Sequence, residues 1–312
     1  MNNTEILQDE LFEIEGKNTE RYDVILRPSL SYWQDAWIRL KKNKIALIGL
    51  SIIILYIVLA IVGPHLIEYD YKTVDPDNTD LLPNSEHWFG TDTLGRDLWA
   101  RTWMGARVSL TIGFVVVLIN QFIGMFIGGL SGYIGGKLDM AIMRIVDILV
   151  GIPYIIVAIL VMMLMGKSGM GSLIIAMVII GWVGPCRFVR GQVLQLKNQE
   201  FVLAAKVLGA GKLRIIYRHL IPNIMGLIIT NITMAIPGAI FTEAFLSYIG
   251  IGIQPPNASW GQMAKDGAQL MRIYPWQMFL PAFFISTTML SLNLLGDGLR
   301  DVLDPRMRGT SR

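Results

Sequence analysis

Long apolar runs almost free of charge constrain this chain before any motif does. A helix that crosses a bilayer needs about 20 mainly apolar residues. Ile45–Gly63 and Val108–Leu130 carry no charge at all. Ile142–Met165 carries only Arg144 and Asp147, both near its beginning. Ser172–Pro185 is a shorter run, Ile224–Ile253 is interrupted by Pro237 and Glu243, and Trp276–Leu295 closes the set. These six runs predict an all-α polytopic membrane protein with six transmembrane helices. The scarcity of charge, 16% of 312 residues against about 25% in soluble domains, argues against a soluble single-core enzyme.

The charge that remains is sorted by side. Lys and Arg concentrate in cytoplasmic loops, so the N-terminus is placed inside. The tail to Lys44 then holds seven basic residues, the turn with Lys137 and Arg144 two, Arg187–Pro222 seven and the C-terminal tail four. That leaves 20 of the 27 inside and predicts cytoplasmic termini at both ends. The outer loop Pro64–Arg101 carries eight acids and three bases. The first 37 residues read as a polar tail. The span at Ile45 starts too late and follows too acidic a tail to be a secretory signal. The basic residues lie beside apolar blocks rather than on a soluble face, which gives nucleic-acid binding no support.

Within the spans, Gly124, Gly128 and Gly132 recur every fourth residue, a stripe on which a neighbouring helix can approach closely. Asp139, Met143 and Asp147 share a helix face, and Arg144 can reach Asp147 across three positions, which predicts a structural salt link. Glu243 is the one acid well inside an apolar run. Its two readings are lining of a translocation pathway and a hydrogen-bonded packing role. Pro153, Pro185 and Pro237 are expected to kink or end helices. Gly90, Asp92, Gly95 and Asp97 read as a turn-rich outer element capped by acids.

Arg187–Pro222 is long for a connection between spans. Its apolar residues recur at helical intervals up to Leu208, and Gly209-Ala-Gly211 follows before the basic Lys212–Asn223. The segment therefore reads as helix, glycine elbow, short basic helix and then membrane. Pro222 suits the start of the next span, where a missing N–H costs nothing. The helix is either an amphipathic element on the inner leaflet or a docking handle for a cytoplasmic protein.

The handle resembles the "EAA" loop of bacterial binding-protein-dependent ABC importer permeases. Ala204, Ala205, Gly209, Ile221 and Pro222 fall in register, with Leu203 on that pattern's Glu and His219 on its Ile. Leu203 removes the expected charge, so no carboxylate role attaches to the loop; Glu200 lies one turn early. His87–Asp97, Gly132–Asp139 and Glu243–Pro256 are similar to stretches of the C-type permease subunit of the peptide and nickel branch. Ser31–Ala60 resembles that subunit's N-terminal extension.

The resemblance implies a type I ABC importer transmembrane domain with an extra N-terminal helix. It divides the chain into a tail at 1–37, an added span and outer loop at 38–106, a permease core at 107–297 with its coupling loop at 187–222, and a tail at 298–312. It implies ATPase coupling through Glu200, Ala204, Ala205, Gly209 and Pro222. The implied partners are a homologous second permease, two ABC ATPases that hold the ATP and magnesium, and an extracytoplasmic substrate-binding lipoprotein. Localisation in a bacterial cytoplasmic membrane goes with these. The expected cargo is an oligopeptide, with dipeptides and nickel or a metal chelate as alternatives. A stand-alone secondary transporter is the distant alternative, and would show an inverted repeat.

Catalytic signals are weak. Gly166-Lys-Ser-Gly169 imitates a phosphate loop, but Val161 stands where the pattern needs its first glycine, so no ATPase site is expected here. His65, His87 and His219 are scattered without metal-ligand spacing, and no cofactor is expected on this chain. A single cysteine, Cys186, excludes an internal disulfide.

Overall fold

The computed structural model describes residues 32–166 and 168–303, so the sequences at 1–31 and 304–312, with most of both predicted tails, lie outside the described residues. Thirteen α-helices follow one another among the described residues, with no strand beyond one isolated bridge between Thr91 and Asp97. Helix α1 (Tyr32–Lys42) begins inside the expected polar tail. Its Asp35–Arg39 pair closes at 2.9 Å, and Ala36 and Leu40 turn inward.

The first span, α2 (Lys44–Val62), starts where the Asn43 side chain accepts the Ala46 N–H. Its exposed Ile45, Ile48, Ile54, Leu55 and Ile61 suit a lipid surround. The opposite side packs on α13 (Trp276–Leu303), with Gly49 against the Ser291 carbonyl and Ala46 against Gly298. Tyr56 ties this seam by a 2.8 Å hydrogen bond to Thr287 and by edge contacts with Trp103, Trp260 and Phe284. α13 continues past the predicted Leu295 boundary, because Gly298 still packs on Ala46 and Leu303 is buried.

Helix α3 (Leu98–Ile134) has 37 residues, about 55 Å at the usual helical rise, more than a hydrocarbon core requires. Its first turns therefore belong to the outer element. Asp97 caps it by accepting the Ala100 N–H at 2.8 Å, while its other oxygen lies 2.8 Å from His87 Nδ1. Asp92 accepts from the Leu94 and Arg96 N–H groups and pairs with the Arg96 guanidinium at 2.7 Å. Arg101, itself buried, donates to Gln262 on α12 (Trp260–Gln269). The acids expected as caps thus hold the outer turns onto the top of the bundle.

Two spans are broken. α4 (Gly136–Val150) and α5 (Tyr154–Met165) meet at 85°, so the expected run Ile142–Met165 is not one straight helix. Pro153 has no N–H to continue the ladder, and it pushes Ile152 out of helical geometry. α6 (Met170–Gly181) and α7 (Val183–Leu196) bend by 40°. There Pro185 deprives the Gly181 carbonyl of its helical donor. Four helices are individually long and apolar enough to span, and six spans result if each bent pair counts as one. α11 (Met225–Tyr248) runs through Pro237 without a break.

The glycine stripe meets a helix of the same chain. A Cβ on Gly124 would strike Pro185, and one on Gly128 or Gly132 would press on the α7 backbone at Cys186 and Arg190. α3 and α7 are therefore in near-backbone contact, and Cys186, whose backbone meets this seam, has a free thiol buried in a cluster with Val146, Ile180 and Val183.

Candidate functional site

The two bends open onto one cavity of about 700 Å³. Its walls come from the α4–α5 joint at Val150, Ile152 and Pro153, the α6–α7 joint at Gly181, Val183 and Gly184, the middle of α3, and one face of α11. Broken helices are tolerated at membrane depth where they line such a space. On α11 the lining residues are Asn231, Ala235, Gly238, Ala239 and Thr242, a stripe at helical spacing. No lining residue is charged. Tyr154 is held by a hydrogen bond from its hydroxyl to the Met177 carbonyl, and Thr242 donates to Gly238.

Glu243 does not reach this cavity, which corrects the pathway-lining expectation. It is fully buried on the other side of α11, where Ser247 donates to its Oε1 at 2.9 Å and in turn accepts the Ile253 N–H. Ser109 of α3 and Ser259, the cap of α12, lie beside it. The reason is angular: successive helix residues are about 100° apart, so Thr242 on the cavity face turns its neighbour into the packing.

The salt link is also rearranged. Asp139 takes a bidentate pair from Arg190, at 2.5 and 2.6 Å, and the Ser131 hydroxyl donates to it. Asp147 pairs with Arg187. The face shared by Asp139 and Asp147 meets α7, whereas Arg144 points away and is exposed. The expected Arg144–Asp147 link is therefore replaced by pairs across the α4–α7 contact: Arg187 meets Asp147 through one bond, and the forked Arg190 guanidinium meets Asp139 through two.

The handle folds as helix, elbow and short helix. α8 (Glu200–Val207) begins where the Gln199 carbonyl accepts the Val202 and Leu203 N–H groups. It ends at Gly209, whose φ of +81° is a conformation glycine adopts without a Cβ clash. α9 (Lys212–Ile215), one wide turn at 216–220, and α10 (Ile221–Asn223) lead back to α11. Val202 and Ala205 are buried against Val193, Ile215 and Ile216. Glu200, Ala204, Gly209 and Pro222 are exposed. Of the two alanines expected to admit another backbone, only Ala204 faces outward. Beside it stands an apolar crest in which Val207 and Leu208 are each 86% exposed.

Asn120, Gln121, Asn231 and Thr242, which give the cavity its polarity, were missed by sequence reasoning, which weighed charges and glycines. Two adjacent amides inside the uncharged run Val108–Leu130 were the available signal.

Residues 124–309 match the profile of the family described as "Binding-protein-dependent transport system inner membrane component", more than half of the chain. The chain belongs to this family. Residues 31–83 also match the "N-terminal TM domain of oligopeptide transport permease C", which accounts for α1 and α2 as an addition in front of the family core. The relatives include "Dipeptide transport system permease protein DppC" of Bacillus subtilis (strain 168), 51% identical, covering 96% of this chain and 94% of that one. "Oligopeptide transport system permease protein OppC" of the same organism is 49% identical over 96% of this chain and 97% of its own length. The protein of that name from Escherichia coli (strain K12) is 37% identical, with 98% of both chains covered. A solved inward-facing structure of the MetNI methionine ABC transporter aligns with a TM-score of 0.53 at 21% identity, over 64% of this chain and 96% of that one, and shows a shared fold. The family match begins within α3 and contains both bent pairs, the handle and the cavity walls on α4–α7 and α11, while the α3 lining residues Val116, Val117, Asn120 and Gln121 lie just before it.

Proposed function

We propose that this inner-membrane permease is one half of the membrane channel of an ATP-driven importer of oligopeptides. Near full-length similarity to permeases named for oligopeptide and dipeptide transport carries the reading. An uncharged, amide-bearing cavity supports it, since a neutral wall suits cargo whose side chains vary while its backbone does not. A homologous second permease completes the channel, an extracytoplasmic lipoprotein delivers the peptide, and two ATPase subunits hold ATP and magnesium. Both termini lie in the cytoplasm, on the side where basic residues collect.

The handle supplies the mechanical link. Val202 and Ala205 of α8 share one buried cluster with Ile215 of α9 and with Val189 and Val193 of α7, and α7 also provides Val183, Gly184 and Pro185 of the cavity wall. A push on α8 is thereby carried along one helix for about 15 Å to the place where cargo passes. The glycine seam makes α3 follow. Nucleotide then biases a packed element with two arrangements.

A dipeptide importer is the second reading, favoured by the 51% identical relative of that name. Reconstitution decides between them. Liposomes holding the complete complex and its binding protein should accumulate labelled tetra- and pentapeptides with ATP, and liposomes holding this chain alone should not. Accumulation of dipeptides only would select the second reading, and uptake by the isolated chain would refute both.

A further inference from the structure

Asn120 and Gln121 stand side by side on α3 at the cavity wall, 8% and 3% exposed. Asn120 Oδ1 and Gln121 Nε2 have no hydrogen-bond partner among the described residues. Polar atoms buried to this degree are normally paired, because leaving one unpaired forfeits its hydration. Elsewhere in the cavity such needs are met within the chain: Tyr154 and Thr242 both donate to backbone carbonyls. Asn120 is also pressed into the notch left by Gly181 at the α6–α7 bend, where any Cβ would collide with its amide. The side chain is thus held at the joint rather than free to turn away.

We infer that Asn120 and Gln121 are the contact residues for the peptide bond of the cargo in transit. The inference rests on the peptide reading above and deepens it. One amide presents an acceptor and the other a donor, which matches the N–H and C=O that every peptide unit carries. The cavity offers no charged group to select a side chain or hold a terminus. It offers no carboxylate or imidazole for a bare metal ion either. Recognition through the repeating backbone would let one permease pass many sequences.

The test uses the complete complex in liposomes with the shape-preserving double variant Asn120→Leu and Gln121→Met, its assembly checked by co-purification of all subunits. Peptide accumulated per ATP hydrolysed should fall about tenfold, the consequence of two lost neutral hydrogen bonds. A ratio within twofold of the parent overturns the inference. If the parent complex itself imports no peptide, the proposed function fails instead, so the two failures are distinct. Should the variant not assemble, the parent complex is photolabelled during turnover with a peptide bearing a diazirine side chain. Label recovered around Asn120 on α3 or along Asn231–Thr242 supports the contact, and label confined to other segments overturns it.

Discussion

Replacing Val207 and Leu208 together by alanine tests the handle most directly. Both are 86% exposed, so neither supports the fold of this chain, and Val202 and Ala205 remain to seat α8 on its core. The substitutions delete five apolar carbons. At about 0.8 kcal/mol per buried CH₂, scaled by the exposed share, their full burial in an ATPase groove is worth roughly 3 kcal/mol. That corresponds to a loss of affinity on the order of 100-fold. The assay is titration of detergent-solubilised permease pair with purified ATPase, read by a binding signal, alongside thermal unfolding of the permease alone. Weakened ATPase binding with an unchanged unfolding temperature is expected. Binding within threefold of the parent would refute the argument that this crest is the docking surface, and would favour a helix lying on the inner leaflet. Such a helix would register instead as reduced association with anionic vesicles.

Three further outcomes follow from the packing. Gly128→Leu should lower the unfolding temperature of the purified permease by several degrees, since overpacking costs about 1–3 kcal/mol, whereas Gly184→Ala, with nothing near its Cβ position, should leave it unchanged. Asp139→Asn should destabilise by about 1.5–3 kcal/mol through loss of the charged bond to Arg190, and Arg144→Gln by less than about 0.5 kcal/mol; equal effects in denaturant titrations would contradict the observed pairing. Glu243→Gln should keep both uptake and peptide preference, because the residue faces Ser247 rather than the cavity, while Glu243→Leu should reduce the yield of intact complex on size exclusion; altered peptide preference in the glutamine variant would return the residue to the pathway.

What was legible along the chain was whatever neighbours in sequence decide. The uncharged runs specify helices in lipid, Asp97 caps α3 through a hydrogen bond three residues away, and Gly209 ends α8 where a left-handed residue is needed. Gly124, Gly128 and Gly132 announced a close approach but not its partner. Nothing local distinguishes α7 from a second subunit, since a stripe of small residues fits any backbone.

Which partner each side chain meets was settled by the packed bundle. The carboxylates of Asp139 and Asp147 had an arginine three or five residues away in sequence, yet took Arg190 and Arg187, 51 and 40 residues off, because α7 is pinned against α3 and so stands within reach. Glu243 and Thr242 are adjacent along the chain but part company once α11 is rotated to put one stripe on the cavity. The cavity itself arises only where two bends, each written locally by a proline, are brought to the same depth. Hydrogen bonds within a helix close over three or four residues and can be read from composition and spacing. Rotation and contact between helices minimise the energy of the whole bundle, and no window of sequence contains that sum.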